Sequence, residues 1–179
     1  MTKKIFIIAS SVFLFSCSNE TKESSAEAQE STANAPIALA YTPLYSSSFK
    51  IGNPEYATMI VQGSWKDWEE NKLDNMTNWV ADTIVAFHSD NTMVNGRDSL
   101  MARWKRGRAR YTSVIDSVHA VTSLVSTDRM HNWVLVWAKE INTNAQGKTD
   151  TTELMETWRI NKDGKADMLL QYDRAKRKE

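Results

Sequence analysis

The sequence is poor in the residues that most often announce a mechanism. It has one cysteine, three histidines, six glycines and three prolines among 179 residues. A single cysteine excludes an internal disulfide and a thiolate metal site. The histidines, His88, His119 and His131, show neither H-x-H nor H-E-x-x-H spacing, so no metal site is expected. No glycine-rich phosphate loop occurs, and no cofactor is implied. Charge of one sign is also lacking: 22 basic side chains meet 22 acidic ones. That balance calls for no polyanionic partner, and nucleic acid is not expected. Finally, the longest apolar run, Ile5 to Phe15, falls well short of the roughly 20 residues that cross a bilayer as a helix.

That short run has a meaning of its own. Lys3 and Lys4 precede it and small or polar residues end it, the pattern of an export signal over 1–16. The only cysteine, Cys17, follows directly. Leu14-Phe15-Ser16-Cys17 resembles a bacterial lipobox, which implies cleavage before Cys17 and a lipid on its thiol; a plain secretory signal with an incidental thiol is the alternative. Lipidation would remove an exposed thiol that is otherwise a liability outside the cytoplasm. The following tract, "SNETKESSAEAQESTANA", holds no aromatic or large aliphatic residue and cannot offset its ordering entropy by burial, so it reads as a tether. By the same lipoprotein resemblance, Ser18 implies the outer membrane of a cell envelope, on either face.

Residues 17–54 are thus expected to form the lipidated cysteine, the tether and an extended lead-in. Residues 55–173 form one domain and 174–179 a basic tail. Asn53-Pro54-Glu55 is a helix start, with a capping side chain, a first-turn proline and an acid near the positive end of the dipole. Apolar spacing carries this helix to about Asn71, and a second spans about Leu73–Trp79. A strand through "TIVAFHS", a brief strand and a third helix from Asn95-Gly96 to about Gly107 follow. The rest reads as four antiparallel strands, with "NTNAQGKT" and "NKDGK" as turns.

This element order, the tryptophan and aspartate spacing of the first helix, the "NGRDSL" helix entry and the closing "WRINKDGKADMLLQYD" resemble the nuclear-transport-factor-2-like superfamily, in particular its SnoaL-like branch. The resemblance implies an α+β, cystatin-like cone: a strongly bent antiparallel or mixed sheet wrapped around three N-terminal helices, enclosing a cavity. It also implies homodimers through the sheet. It implies no single activity, because such domains include isomerases, dehydratases, cyclases and non-catalytic binding modules.

Chemistry in such a cavity needs titratable groups on apolar strand faces. Glu156 shares a face with Leu154, Trp158 and Ile160; His88 follows Ile84 and Ala86; Asp116 alternates with Val114 and Val118. His88, Asp116 and Glu156 are therefore the catalytic candidates, with the Tyr56 hydroxyl as a donor; strand-end, turn and ion-pair roles are the alternatives. Trp133 to Ala138, "WVLVWA", is apolar on both faces, so both must be covered. Trp133, Leu135 and Trp137, with Tyr56 and Trp158, are expected to line the cavity or an interface. The clusters "RWKRGRAR" and "RAKRK" read as solvated faces, the first suited to a helix C-terminus. The expected function is a membrane-anchored domain that binds a small apolar ligand or a protein without catalysis. A lyase or isomerase and an envelope assembly protein are the alternatives.

Overall fold

The computed structural model describes residues 39–174, and its first helix begins where Asn53 and Pro54 place it. The Asn53 side chain accepts a hydrogen bond from the Glu55 N–H at 3.0 Å, and Pro54 occupies the first turn. Helix α1 (Pro54–Ile60) does not continue regularly. Over Val61–Lys66 the backbone widens into a π-helical stretch, where the Asp67 N–H reaches the Gln62 carbonyl, before α-helix resumes as α2 (Asp67–Glu69). The helical run thus ends at Glu69, short of the expected Asn71, and Asn71 itself turns the chain with φ 57°.

Gly63 sits in the wide turn because the Trp79 indole packs onto its backbone. A Cβ there would lie 2.4 Å from the ring. Gly63→Ala should therefore lower stability by about 1–3 kcal/mol through overpacking, read by urea denaturation. An unchanged midpoint would mean that Trp79 yields freely.

A 3₁₀ turn (Leu73–Asn75) leads into α3 (Met76–Trp79). Next come β2 (Val80–Phe87), β3 (Met93–Asn95) and α4 (Arg97–Arg108), and then the long strands β4 (Tyr111–Ser126), β5 (Asn132–Asn144), β6 (Thr149–Ile160) and β7 (Ala166–Asp173). The lead-in contributes β1 (Phe49–Ile51), which pairs with β4, so the sheet begins before residue 55. Strand order is β1-β4-β5-β6-β7-β2-β3, antiparallel throughout except for the parallel β2–β7 pair. The sheet is therefore mixed. A bulge in β4 between Val118 and Ala120 bends that strand. The tight β6–β7 turn is set by Gly164 at φ 75° and by the Asn161 side chain, which accepts from the Asp163 and Lys165 N–H groups.

Register decides which side chains face the helices. Val136 pairs with Glu156 and Val134 with Trp158, and all four are buried on the concave face. Trp133, Leu135 and Trp137 alternate to the convex face. There Tyr45 packs on Trp133 with ring centroids 5.4 Å apart, while Trp137 remains 38% exposed. A chain of edge-to-face indoles runs through the core: Trp79 on Trp158 at 5.3 Å, Trp158 on Trp104 at 6.1 Å, and Trp104 on Trp68 at 5.9 Å.

Arg108 ties the open end together. Its buried guanidinium donates to the carbonyls of Trp68, Glu69 and Tyr111 at 2.8, 3.0 and 2.9 Å. It thereby satisfies the Glu69 carbonyl at the end of α2, joins the Asn71 N–H on that of Trp68, and fixes α2 to α4 and β4.

Candidate functional site

The concave face of β6 carries the deepest carboxylate. Glu156 is 3% exposed and has three donors: Ser64 Oγ at 2.9 Å and Trp158 Nε1 at 2.9 Å to Oε2, and Gln171 Nε2 at 3.0 Å to Oε1. Ser64 comes from the π-helical turn, Trp158 from two residues along the same strand, and Gln171 from the paired position on β7. Burial pushes the Glu156 carboxyl up, while the bonds from Trp158, Gln171 and Ser64 pull it back only in part.

The network continues to the end of β2. Gln171 Oε1 lies 3.4 Å from His88 Nδ1. Because the Gln171 amide NH₂ is directed at Glu156, its carbonyl oxygen faces the imidazole, so His88 Nδ1 carries the proton and Nε2 is left as the acceptor. Nε2 is buried and has no partner among the described residues. Burial and the nearby Arg103 hold the imidazole below its ordinary value, against the Gln171 bond and Asp90, so the ring is neutral at pH 7.

His88 and Glu156 both line an open cavity of about 730 Å³. Its walls are Trp65, Trp68 and Trp104 from the helices and Leu154 from β6. Its polar lining includes Ser64, Gln171, Glu140 and Thr152, with Arg103, Arg106, Arg110, Asp90 and Asp173 among the charged residues nearer solvent. The indole N–H groups of Trp65 and Trp68 have no hydrogen-bond partner among the described residues. Glu140 accepts from Asn142, and the Trp68 indole lies near it without completing a bond of standard geometry. Burial leaves the Glu140 carboxyl raised despite these neighbours and Arg108. Asp90 is bonded by Thr92 and paired with Arg103 at 2.7 Å, which hold it well below the usual carboxylate range.

The sequence-expected triangle is thus drawn together at two corners only. Asp116 does not line the cavity; it faces Glu140 across the β4–β5 pair, and both its oxygens are buried without a hydrogen bond to the described residues. Burial, reinforced by Glu140, Glu69 and Glu156, pushes its carboxyl up to about 8. Tyr56 lies outside the cavity, near the β6–β7 turn at Gly164. Trp158 is fully buried behind Glu156. Trp133, Leu135 and Trp137 lie on the convex face, so the cavity-lining alternative for them is corrected by register: Val134, Val136 and Ala138 turn inward instead. Gln171, Ser64 and Glu140 were not anticipated. Gln171 had a signal, since it follows Leu169 on one face of a strand. Cys17 and residues 175–179 lie outside the described residues.

Among the described residues no group of three His, Cys, Asp or Glu is placed to hold a metal ion. None of their helices is long and apolar enough to cross a membrane.

A bent mixed sheet of this strand order, curled over three helical segments and open to a cavity, is the nuclear-transport-factor-2-like fold. No family model matches the chain, and no curated protein matches it. Solved structures do. One described as a SnoaL-like polyketide cyclase, from Jannaschia, is similar with a TM-score of 0.54 at 14% identity, over 66% of this chain and 83% of that one. A Mycobacterium tuberculosis protein in complex with estradiol-17beta-hemisuccinate gives 0.53 at 15%, over 65% and 92%. An NTF2-like protein of unknown function from Burkholderia pseudomallei gives 0.52 at 15%, over 68% and 91%. At these identities the likeness is one of fold alone.

Proposed function

We propose that this chain is an envelope lipoprotein whose cone cavity binds a small, largely apolar organic molecule. The observation that carries the reading is the cavity itself: about 730 Å³, with three tryptophans and Leu154 as its apolar wall, polar and charged side chains over the rest of its lining, and an opening to solvent. That volume and lining suit a ring-sized ligand. The steroid ester held by one structural neighbour is a ligand of the same scale. Native mass spectrometry of the full-length chain, purified gently from its source cells, tests it. A reproducible retained small-molecule mass is expected; a bare protein at every preparation would overturn the binding reading and favour a protein-assembly role.

The anchor rests on Leu14 to Cys17. Cys17→Ser should move most of the protein from the membrane fraction to the soluble one, measured by fractionation and blotting. A distribution unchanged by the substitution would sink the lipid assignment. A homodimer through the convex face is part of the same proposal, since Phe87, Trp137 and Tyr172 are 38%, 38% and 57% exposed there. The mass spectrum reads that too.

A second reading, acid–base catalysis of the lyase or isomerase kind, is favoured by one arrangement. His88 borders the cavity, its tautomer is set by Gln171, and its Nε2 is left as a buried acceptor without a partner among the described residues. On this reading the extracted ligand changes mass on incubation with the wild type and stays unchanged with His88→Ala.

A further inference from the structure

The mouth of the cavity holds an imbalance that the neutral composition conceals. Of its charged residues, Asp90 and Arg103 neutralise each other. Glu156 and Glu140 lie deeper, held by their own donors. What remains near solvent is Arg106 and Arg110 against Asp173. Arg106 makes no hydrogen bond or ion pair with the described residues, and Arg110 makes only a 3.5 Å contact to the Gly107 carbonyl. Cations at the end of α4 also suit its dipole. The dipole does not explain why these two guanidinium groups border the cavity yet pair with none of the four carboxylates that line it.

Below them lie hydrogen-bonding atoms that have no partner among the described residues: Nε1 of Trp65, which is 4% exposed, and Nε2 of His88, which is 8% exposed. We infer that the cavity takes an amphiphilic organic anion, with a ring body against Trp65, Trp68 and Trp104, a hydroxyl or similar donor toward His88, and a carboxylate, sulfate or phosphate at the mouth on Arg106 and Arg110. This rests on the cavity-binding reading above and specifies its ligand class. A guanidinium fork matches such groups better than an ammonium would.

Two fluorescent probes isolate the charge: anilinonaphthalene sulfonate and its sulfonate-free analogue phenylnaphthylamine, each titrated into the full-length chain. The wild type should bind the sulfonate about tenfold more tightly, a difference of about 1.4 kcal/mol. Arg106→Ala with Arg110→Ala should abolish that preference and leave the neutral probe unchanged. Both side chains are exposed, so the fold should persist. Added salt should weaken only the sulfonate. Equal wild-type affinities would overturn the anion inference and leave the cavity reading standing. Thr152→Trp, which places an indole in the mouth, should block both probes; if it blocks neither, they bind elsewhere and the cavity reading fails as well. Displacement of the sulfonate by soluble naphthoate supports a small-molecule ligand. Displacement only by phosphatidylglycerol vesicles would overturn it in favour of a lipid headgroup.

Discussion

Asp116→Asn should stabilise the protein at pH 8 by about 2 kcal/mol while changing little near pH 4. The Asp116 carboxyl is raised to about 8 by burial first and then by Glu140, Glu69 and Glu156. In the unfolded chain it titrates near 3.8, the ordinary value. Between these two values the native state holds a proton that the unfolded state has released, so stability falls as pH rises through the window. Below about 4 both states are protonated and the group contributes no slope. An asparagine keeps the shape and never ionises. Water reaching this half-buried residue screens the effect, which is why about 2 kcal/mol is expected rather than the full span of the shift. In a domain of this size that is a rise in Tm of about 4–8 °C at pH 8. Thermal unfolding of both proteins from pH 4 to pH 9 measures it, and parallel wild-type and variant curves would show that Asp116 is hydrated and ionised in the fold.

Glu156→Ala should act in the opposite direction, lowering stability by about 2–4 kcal/mol at neutral pH. Three donors converge on this carboxylate. Ser64 and Gln171 border the cavity, where water can replace a lost partner, but Trp158 is fully buried and its indole N–H would be left unsatisfied. Glu156→Gln should fall between the two, about 1–2 kcal/mol below the wild type. Its carbonyl oxygen can still accept from Trp158 and Ser64, while its NH₂ meets the NH₂ of Gln171. Chemical denaturation with a common m-value reads the order wild type, glutamine, alanine. An alanine variant as stable as the wild type would mean that relief from desolvating the carboxylate outweighs the three bonds.

Much of the fold was readable because its signals are local. The Asn53-Pro54 start, the Asn161-Gly164 turn and the alternation along β6 each depend on a few adjacent residues. Glu156 stood out for the same reason, as one acid in an apolar row. The face of β5 was not readable in this way. "WVLVWA" carries no polar residue to mark a side, and shifting the assignment by one position exchanges every inward residue for an outward one. Pairing with β6 resolves it, and that pairing is information held elsewhere in the chain.

The site shows the same division. His88 and Glu156 could be picked out singly, but the residue that joins them, Gln171, matters only because β7 sets it opposite Glu156 and beside β2. The π-helical turn that delivers Ser64 had no periodic signature, since one widened turn shifts the helical phase without announcing itself. Arg106 and Arg110 read as a solvated helix end because sequence spacing does not show that the end of α4 borders a cavity mouth.

One wall of that cavity has two sides. His88, Ser89, Gln171 and Asp173 also border a second hollow of about 370 Å³, reached past Tyr45, Phe87 and Tyr172. The imidazole and the amide, joined by their 3.4 Å contact, therefore also form a partition between the two hollows. Trimming either side chain should pierce that partition and turn a blind cavity into a conduit, so that a molecule entering between Arg106 and Arg110 gains a back exit. The size of the residue at position 88 would then govern residence time in the cone, independently of any chemistry its nitrogens perform.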